Sequence, residues 1–153
     1  LPLLPQQKVK RVELSDTAAT HYLQDSYGEV EIETQTILLA TGRFLSGGLA
    51  ADRGGVRETL LGLPVSQPQS RSDWYRQRSL DPRGPQFNRS GVEVDAHFRP
   101  LDADGRPVDH RLFAAGILLA HQARTRQRCG AGVAIASAYK AVEALSGVLT
   151  ASD

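Results

Sequence analysis

Charged and apolar residues alternate from Glu29 to Thr34, then give way to the unbroken apolar run Ile37-Leu38-Leu39 before Ala40-Thr41-Gly42. Period-two alternation predicts a half-exposed strand, and a continuous β-branched and apolar run predicts a strand covered on both faces, as in an α/β sheet. An edge-like strand therefore leads into a buried one that stops at a small-residue turn. Upstream, Lys8 to Leu14 also alternates and Asp25-Ser26-Tyr27-Gly28 supplies turn chemistry, so two or three antiparallel strands feed the buried one.

After Gly42 the pattern breaks. Arg43 to Gly55 carries paired glycines that let the backbone approach something closely, either a ligand or another subdomain. Val56 to Val65 reads as a short strand or extended segment. Ser70-Arg71-Ser72-Asp73 begins with N-cap residue types and predicts a short helix, with Trp74 and Tyr75 as packing residues. Proline, glycine and asparagine mark Asp81 to Ser90 as an irregular connection, so residues 43–90 read as an excursion from the sheet. Regular structure returns as short extended pieces at Gly91 to Asp95 and Phe98 to Leu101, followed by a turn at Asp102 to Pro107. Arg111 to Gly116 predicts a second buried strand stopping at glycine. Val133 to Ser146 predicts a helix, with Cys129-Gly130-Ala131-Gly132 at its start and Gly147 as its C′ stop.

Composition narrows the class. The hydrophobic share of 41% and charged share of 23% are those of a soluble globular protein with a real core. Apolar runs such as Leu112 to Ala120 fall short of the roughly 20 residues needed to cross a bilayer, so no membrane span is expected. Leu1-Pro2-Leu3-Leu4-Pro5 has no initiating Met and no basic leader, which reads as the cut end of a longer chain. A net charge of +1 without a clustered basic face excludes nucleic acid as a partner. A lone cysteine, Cys129, excludes an internal disulfide and a Cys-based metal site and fits a reducing cytoplasm. Asp102 and Asp104 lack the remaining ligands of a calcium loop, so no metal is expected.

Two buried strands ending in Ala40-Thr41-Gly42 and Ala115-Gly116, with a helix opening near Gly130, would line a crevice at the carboxyl edge of a sheet, where α/β folds bind ligands. The free N–H groups and positive dipole end of that helix would stabilise an anion or an electron-rich carbonyl. The sequences Thr36 to Gly42, Leu112 to Gly116 and Cys129 to Ala136 resemble the C-terminal portion of two-dinucleotide-binding-domain flavoproteins. Gly42 to Leu49, Val56 to Val65 and the Cys129 segment are most similar to the B subunits of anaerobic glycerol-3-phosphate dehydrogenases.

The resemblance implies an incomplete α/β fold: the C-terminal part of a FAD/NAD(P)-binding Rossmann-like flavoprotein, with antiparallel strands and an inserted irregular subdomain. Residues 1–42 and 91–150 would belong to the flavin-binding domain and residues 43–90 to a cap-like or substrate-side insertion. It implies oxidation of sn-glycerol 3-phosphate to dihydroxyacetone phosphate, with electrons passing to the quinone pool. The flavin would be FMN or FAD, and the partners a catalytic A subunit and an iron–sulfur, membrane-attached C subunit. The complex would be cytoplasmic and peripheral to the inner membrane.

Carried over by position, Thr41, Gly42, Gly116, Gly130, Ala131 and Gly132 would face the flavin through their backbone. His97 and His121 are the candidate bases, and Arg124, Arg126 and Arg128 the candidate cations for the substrate phosphate. Two departures are visible. Ile117 stands where many members of the superfamily place an acidic residue, and no G-x-G-x-x-G follows a strand, so the half that cradles the cofactor phosphate would lie upstream. A missing first strand would leave an edge open to self-association, and this piece alone would hold no flavin. Two alternatives remain open: a flavoprotein-like scaffold or electron relay with the chemistry in a partner, and a flavin oxidoreductase for another substrate.

Overall fold

The computed structural model describes residues 3–24, 26–76, 78, 81–123 and 128–150. Strands β1 (Lys8–Leu14), β2 (Ala19–Gln24) and β3 (Glu29–Thr34) form an antiparallel meander in that order. One face carries the buried Val12, Ala19 and Leu23, while Glu13, Glu31 and Glu33 alternate to solvent, as the period-two pattern requires. The alternating and apolar halves of the 29–42 segment are two strands in two different sheets, separated at Gln35 and Thr36.

Strand β4 (Ile37–Leu39) pairs in parallel with a strand far along the chain, β9 (Leu112–Ala114), in the register Ile37↔Leu112. The apolar run is continuous because each face has its own cover. Ile37, Leu39, Leu112 and Ala114 point into the main core, whereas Leu38 and Phe113 join a second cluster with Ala115 and Ala141. Between these strands lie a hairpin, β5 (Leu49–Asp52) and β6 (Gly55–Glu58), and a short pair, β7 (Val65–Ser66) with β8 (Gly91–Val92). The helix expected after Ser70 is a single 3-10 turn, Arg71–Trp74, with the Ser70 hydroxyl accepting from the Ser72 N–H at 3.3 Å. A second 3-10 turn spans Gln86–Arg89, and Phe87 packs among Phe44, Trp74 and Tyr75. Leu49, Val56, Leu63 and Trp74 share one core with β4 and β9, so parts of residues 43–90 pack against that pair while their strands form sheets of their own.

Helix α1 (Gly130–Thr150) lies across β9 and buries only Ser137 and Ala141. Its end corrects the expectation for Gly147, which sits within the helix. A C′ glycine stops a helix by taking positive φ, and Gly147 is not among the positive-φ glycines. By length and composition α1 is long and apolar enough to cross a bilayer, which a search for unbroken apolar runs overlooks. It also carries the Lys140–Glu143 ion pair at 2.7 Å midway along, and it packs by a small-residue stripe, as in a helix laid on a sheet.

Candidate functional site

The carboxyl ends of β4 and β9 are level, because the Ala115 N–H donates to the Leu39 carbonyl at 2.9 Å. The chain leaves both strands through left-handed glycines, Gly42 at φ +73° and Gly116 at φ +77°. The Ile117 Cδ1 atom lies 3.8 Å from where a Cβ on Gly42 would sit, so the two turns share one crevice wall. Gly48 closes the other side. A Cβ there would stand 2.3 Å from the Gly42 carbonyl oxygen and 2.6 Å from Thr41 Oγ1. Thr41 Oγ1 is itself buried and without a hydrogen-bond partner among the described residues. Thr41 lines a groove of about 720 Å³ together with Ile37, Leu38, Leu39, Lys8, Lys10 and Arg57. Gly116 has the opposite surroundings, with nothing within 4 Å of an added Cβ.

Helix α1 is tied to this wall by one side chain. The Gly116 N–H donates to Ser137 Oγ at 2.8 Å, and that hydroxyl donates to the Val133 carbonyl at 2.6 Å. The Gly116 carbonyl accepts from Gln122 Nε2 at 3.1 Å, so both backbone groups of the glycine are engaged. Gly130, Ala131 and Gly132 form the first turn of α1, about 10 Å along the axis from Ser137. Their N–H groups belong to the set that has no intrahelical acceptor. The half-buried Cys129 contributes its carbonyl to Val133, 2.9 Å away.

The structure brings Thr41, Gly42 and Gly116 together and does not bring the two histidines together. His97 is exposed and borders a groove of about 410 Å³ beside His110, Gly147 and Val148, on the C-terminal half of α1. Its N–H donates to Asp95, which also receives Arg99 Nε at 2.8 Å. Burial pushes the Asp95 carboxyl up, but the N–H and guanidinium donors of Arg99 outweigh it and hold that carboxyl below its ordinary value. His121 places Nε2 2.9 Å from Glu93 Oε1. The Ser66 hydroxyl, then His121, hold the Glu93 carboxyl low. His121 is followed by Gln122, whose side chain reaches the Gly116 carbonyl, and His97 by Phe98, whose carbonyl accepts from the Ala114 N–H. Arg128 is exposed, with φ +51°, while Arg124 and Arg126 lie outside the described residues. Gly48 is one of the paired glycines that the sequence marks for close backbone approach, whereas Ser137 and Gln122 are site residues that the pattern does not single out. A serine on the aliphatic stripe of a helix is the visible signal for the first of these; the second depends on a contact that no local pattern encodes.

The family model described as FAD binding domain matches residues 3–133, which takes in the meander, both glycine turns and the start of α1. The chain belongs to the FAD binding domain family. The chain is 30% identical over 147 residues to the B subunit of the anaerobic glycerol-3-phosphate dehydrogenase of Aliivibrio fischeri strain ES114, covering 93% of this chain and 32% of the relative. The corresponding protein of Yersinia pseudotuberculosis is 32% identical over 141 residues, with 92% and 32% covered. That of Vibrio cholerae El Tor Inaba N16961 is 33% identical over 112 residues, with 73% and 25% covered. The chain thus spans about a third of the length of the curated relatives it matches. No solved structure matches. Among the described residues no three His, Cys, Asp or Glu side chains gather as metal ligands.

Proposed function

We propose that the chain forms one wall of the flavin crevice in the B component of an anaerobic glycerol-3-phosphate dehydrogenase. The observation that carries this reading is the buried, unpartnered Thr41 Oγ1 beside the joined Gly42 and Gly116 turns, in a chain similar to proteins of that name. Bound FAD supplies the hydride acceptor. The Thr41 hydroxyl gives its free hydrogen bond to the flavin edge, and the missing side chain of Gly116 leaves room for the ring. Gly130, Ala131 and Gly132 turn their first-turn N–H groups and the positive helix end toward negative charge on it. FAD is favoured over FMN by the family that matches.

His121, oriented by Glu93, takes the proton of the substrate carbinol, with His97 the second candidate. Arg128, with Arg124 and Arg126, supplies positive charge for the substrate phosphate. Residues 43–90 serve as the substrate-side segment of the domain formed by 1–42 and 91–150. The oxidised substrate is sn-glycerol 3-phosphate, and electrons leave through an A subunit and an iron–sulfur C subunit toward quinone, at the inner membrane surface without a span of this chain's own. Alone, the chain retains no flavin and associates through the outer edge of β4.

A second reading, a scaffold or relay whose chemistry lies in a partner, is favoured by Ile117, which packs toward Gly42 and leaves no acidic side chain at that turn. Flavin extraction and substrate bleaching of the purified complete complex test both. A yellow B component that glycerol 3-phosphate bleaches is expected. A colourless B component in a complex that still turns over would transfer the role to the partner, and a colourless, inert complex would sink both readings.

A further inference from the structure

We infer that the cleft between β7, the Gln86–Arg89 turn and His121 is a binding site for a small oxyanion of the phosphate class. It holds about 310 Å³ and is lined by Ser66, Arg76, Gln86, Arg89, Ser90 and His121. Two residues of that lining carry a buried polar atom with no partner among the described residues: Ser90 Oγ, on a residue only 1% exposed, and Arg76 Nε. Leaving a hydroxyl and a guanidinium N–H buried and unpaired costs roughly 1–3 kcal/mol each, so native structures seldom keep them without a ligand or water to satisfy them.

The neighbouring groups leave that pairing to something from outside. Gln67 is fully used by Val56, accepting its N–H at 2.6 Å and donating to its carbonyl at 2.9 Å. Glu93 is engaged by His121, and Asp81, which feels the charge of Arg76, is gripped by Arg83 at 2.8 Å. Arg76 and Arg89 form no ion pair with a described residue, and the carboxylate of Glu93 is already paired within the lining by His121 and Ser66, so the two guanidinium groups of the cleft are left for a ligand.

The frame is fixed in advance. The His121 N–H donates to the Arg89 carbonyl at 2.8 Å, the Ala120 N–H to Val92 at 2.9 Å, and the Arg43 side chain to the Ser90 carbonyl. His121 is held at φ +65°, in the left-handed region that few non-glycine residues adopt. Two guanidinium groups and a hydroxyl around one small volume suit a tetrahedral oxyanion with several acceptor oxygens. The oxyanion site stands whether or not the crevice at Thr41 holds a flavin.

Calorimetric titration of the full-length protein with inorganic phosphate tests it. Saturable one-to-one binding is expected, weakened about tenfold by Arg89→Gln and about threefold by Ser90→Ala. Arg53→Gln, at an exposed position outside the cleft lining, should bind as the native protein does. Ser90→Ala removes a hydroxyl that bonds to no described residue, so its unfolding midpoint should not fall, and a loss of phosphate then reads binding alone. No saturation, or native affinity in Arg89→Gln and Ser90→Ala, or an equal loss in Arg53→Gln, overturns the assignment. With phosphate binding in hand, competition by glycerol 3-phosphate marks the phosphate end of a substrate, and its absence marks a site for the free ion.

Discussion

Glu58 ends one short strand and Thr41 follows another, and both bury polar oxygen. Glu58 is 2% exposed, and its carboxylate accepts the N–H groups of Leu60, Leu61 and Leu63 at 2.9, 2.7 and 3.4 Å. Thr41 Oγ1 accepts nothing and donates to nothing within the described chain. The first turn is closed by its own side chain, as the cost of burying an unpaired carboxylate demands. The second is left one bond short at the mouth of a groove. The saturated carboxylate of Glu58 holds its own turn together, and on the proposed reading the unsaturated hydroxyl of Thr41 is where another molecule would bind.

Gly48 touches both regions, since its carbonyl accepts from the Thr59 N–H while its Cα packs on Thr41 and Gly42. Gly48→Ala should therefore have the largest effect. A Cβ 2.3 Å from a backbone oxygen cannot be relieved by a side-chain rotation, and about 3 kcal/mol of stability should go, read by urea denaturation. Glu58→Gln comes next. It replaces a charged acceptor of three N–H groups by a neutral amide, at about 2 kcal/mol by the same measurement, with flavin content of the complete protein unchanged. Thr41→Val should move stability by less than about 1 kcal/mol, because no internal bond is lost, yet weaken flavin binding about tenfold in a fluorescence titration. A Thr41→Val protein that is strongly destabilised but binds flavin normally would erase the contrast between the two turns.

The legible parts of the fold are those written in a short window. The period of Glu29 to Leu39, the small-residue turn at Ala40 to Gly42 and its repeat at Ala115 to Gly116 identify the strands and the crevice wall before any coordinates. What stays hidden depends on partners distant in sequence. Whether β3 and β4 share a sheet is decided by β2 and β9, and nothing in the 29–39 segment names them. Gly147 looks like a helix stop by residue type, but it keeps a backbone without positive φ, so α1 continues to Thr150. Residue type alone nominates the two histidines, which is why one stands beside Glu93 and Arg89 and the other by the C-terminal half of α1.

The parallel pairing of β4 with β9 joins residues about 75 positions apart, whereas β1, β2 and β3 are joined by tight local turns. Closing so long a loop costs entropy before any contact repays it, and pairings of that kind form slowly. The meander and the β5–β6 hairpin are thus free to form first, as local units. The joined Gly42–Gly116 wall is a late event in the life of the chain, and until it forms Thr41 faces water, with no crevice for a ligand to enter.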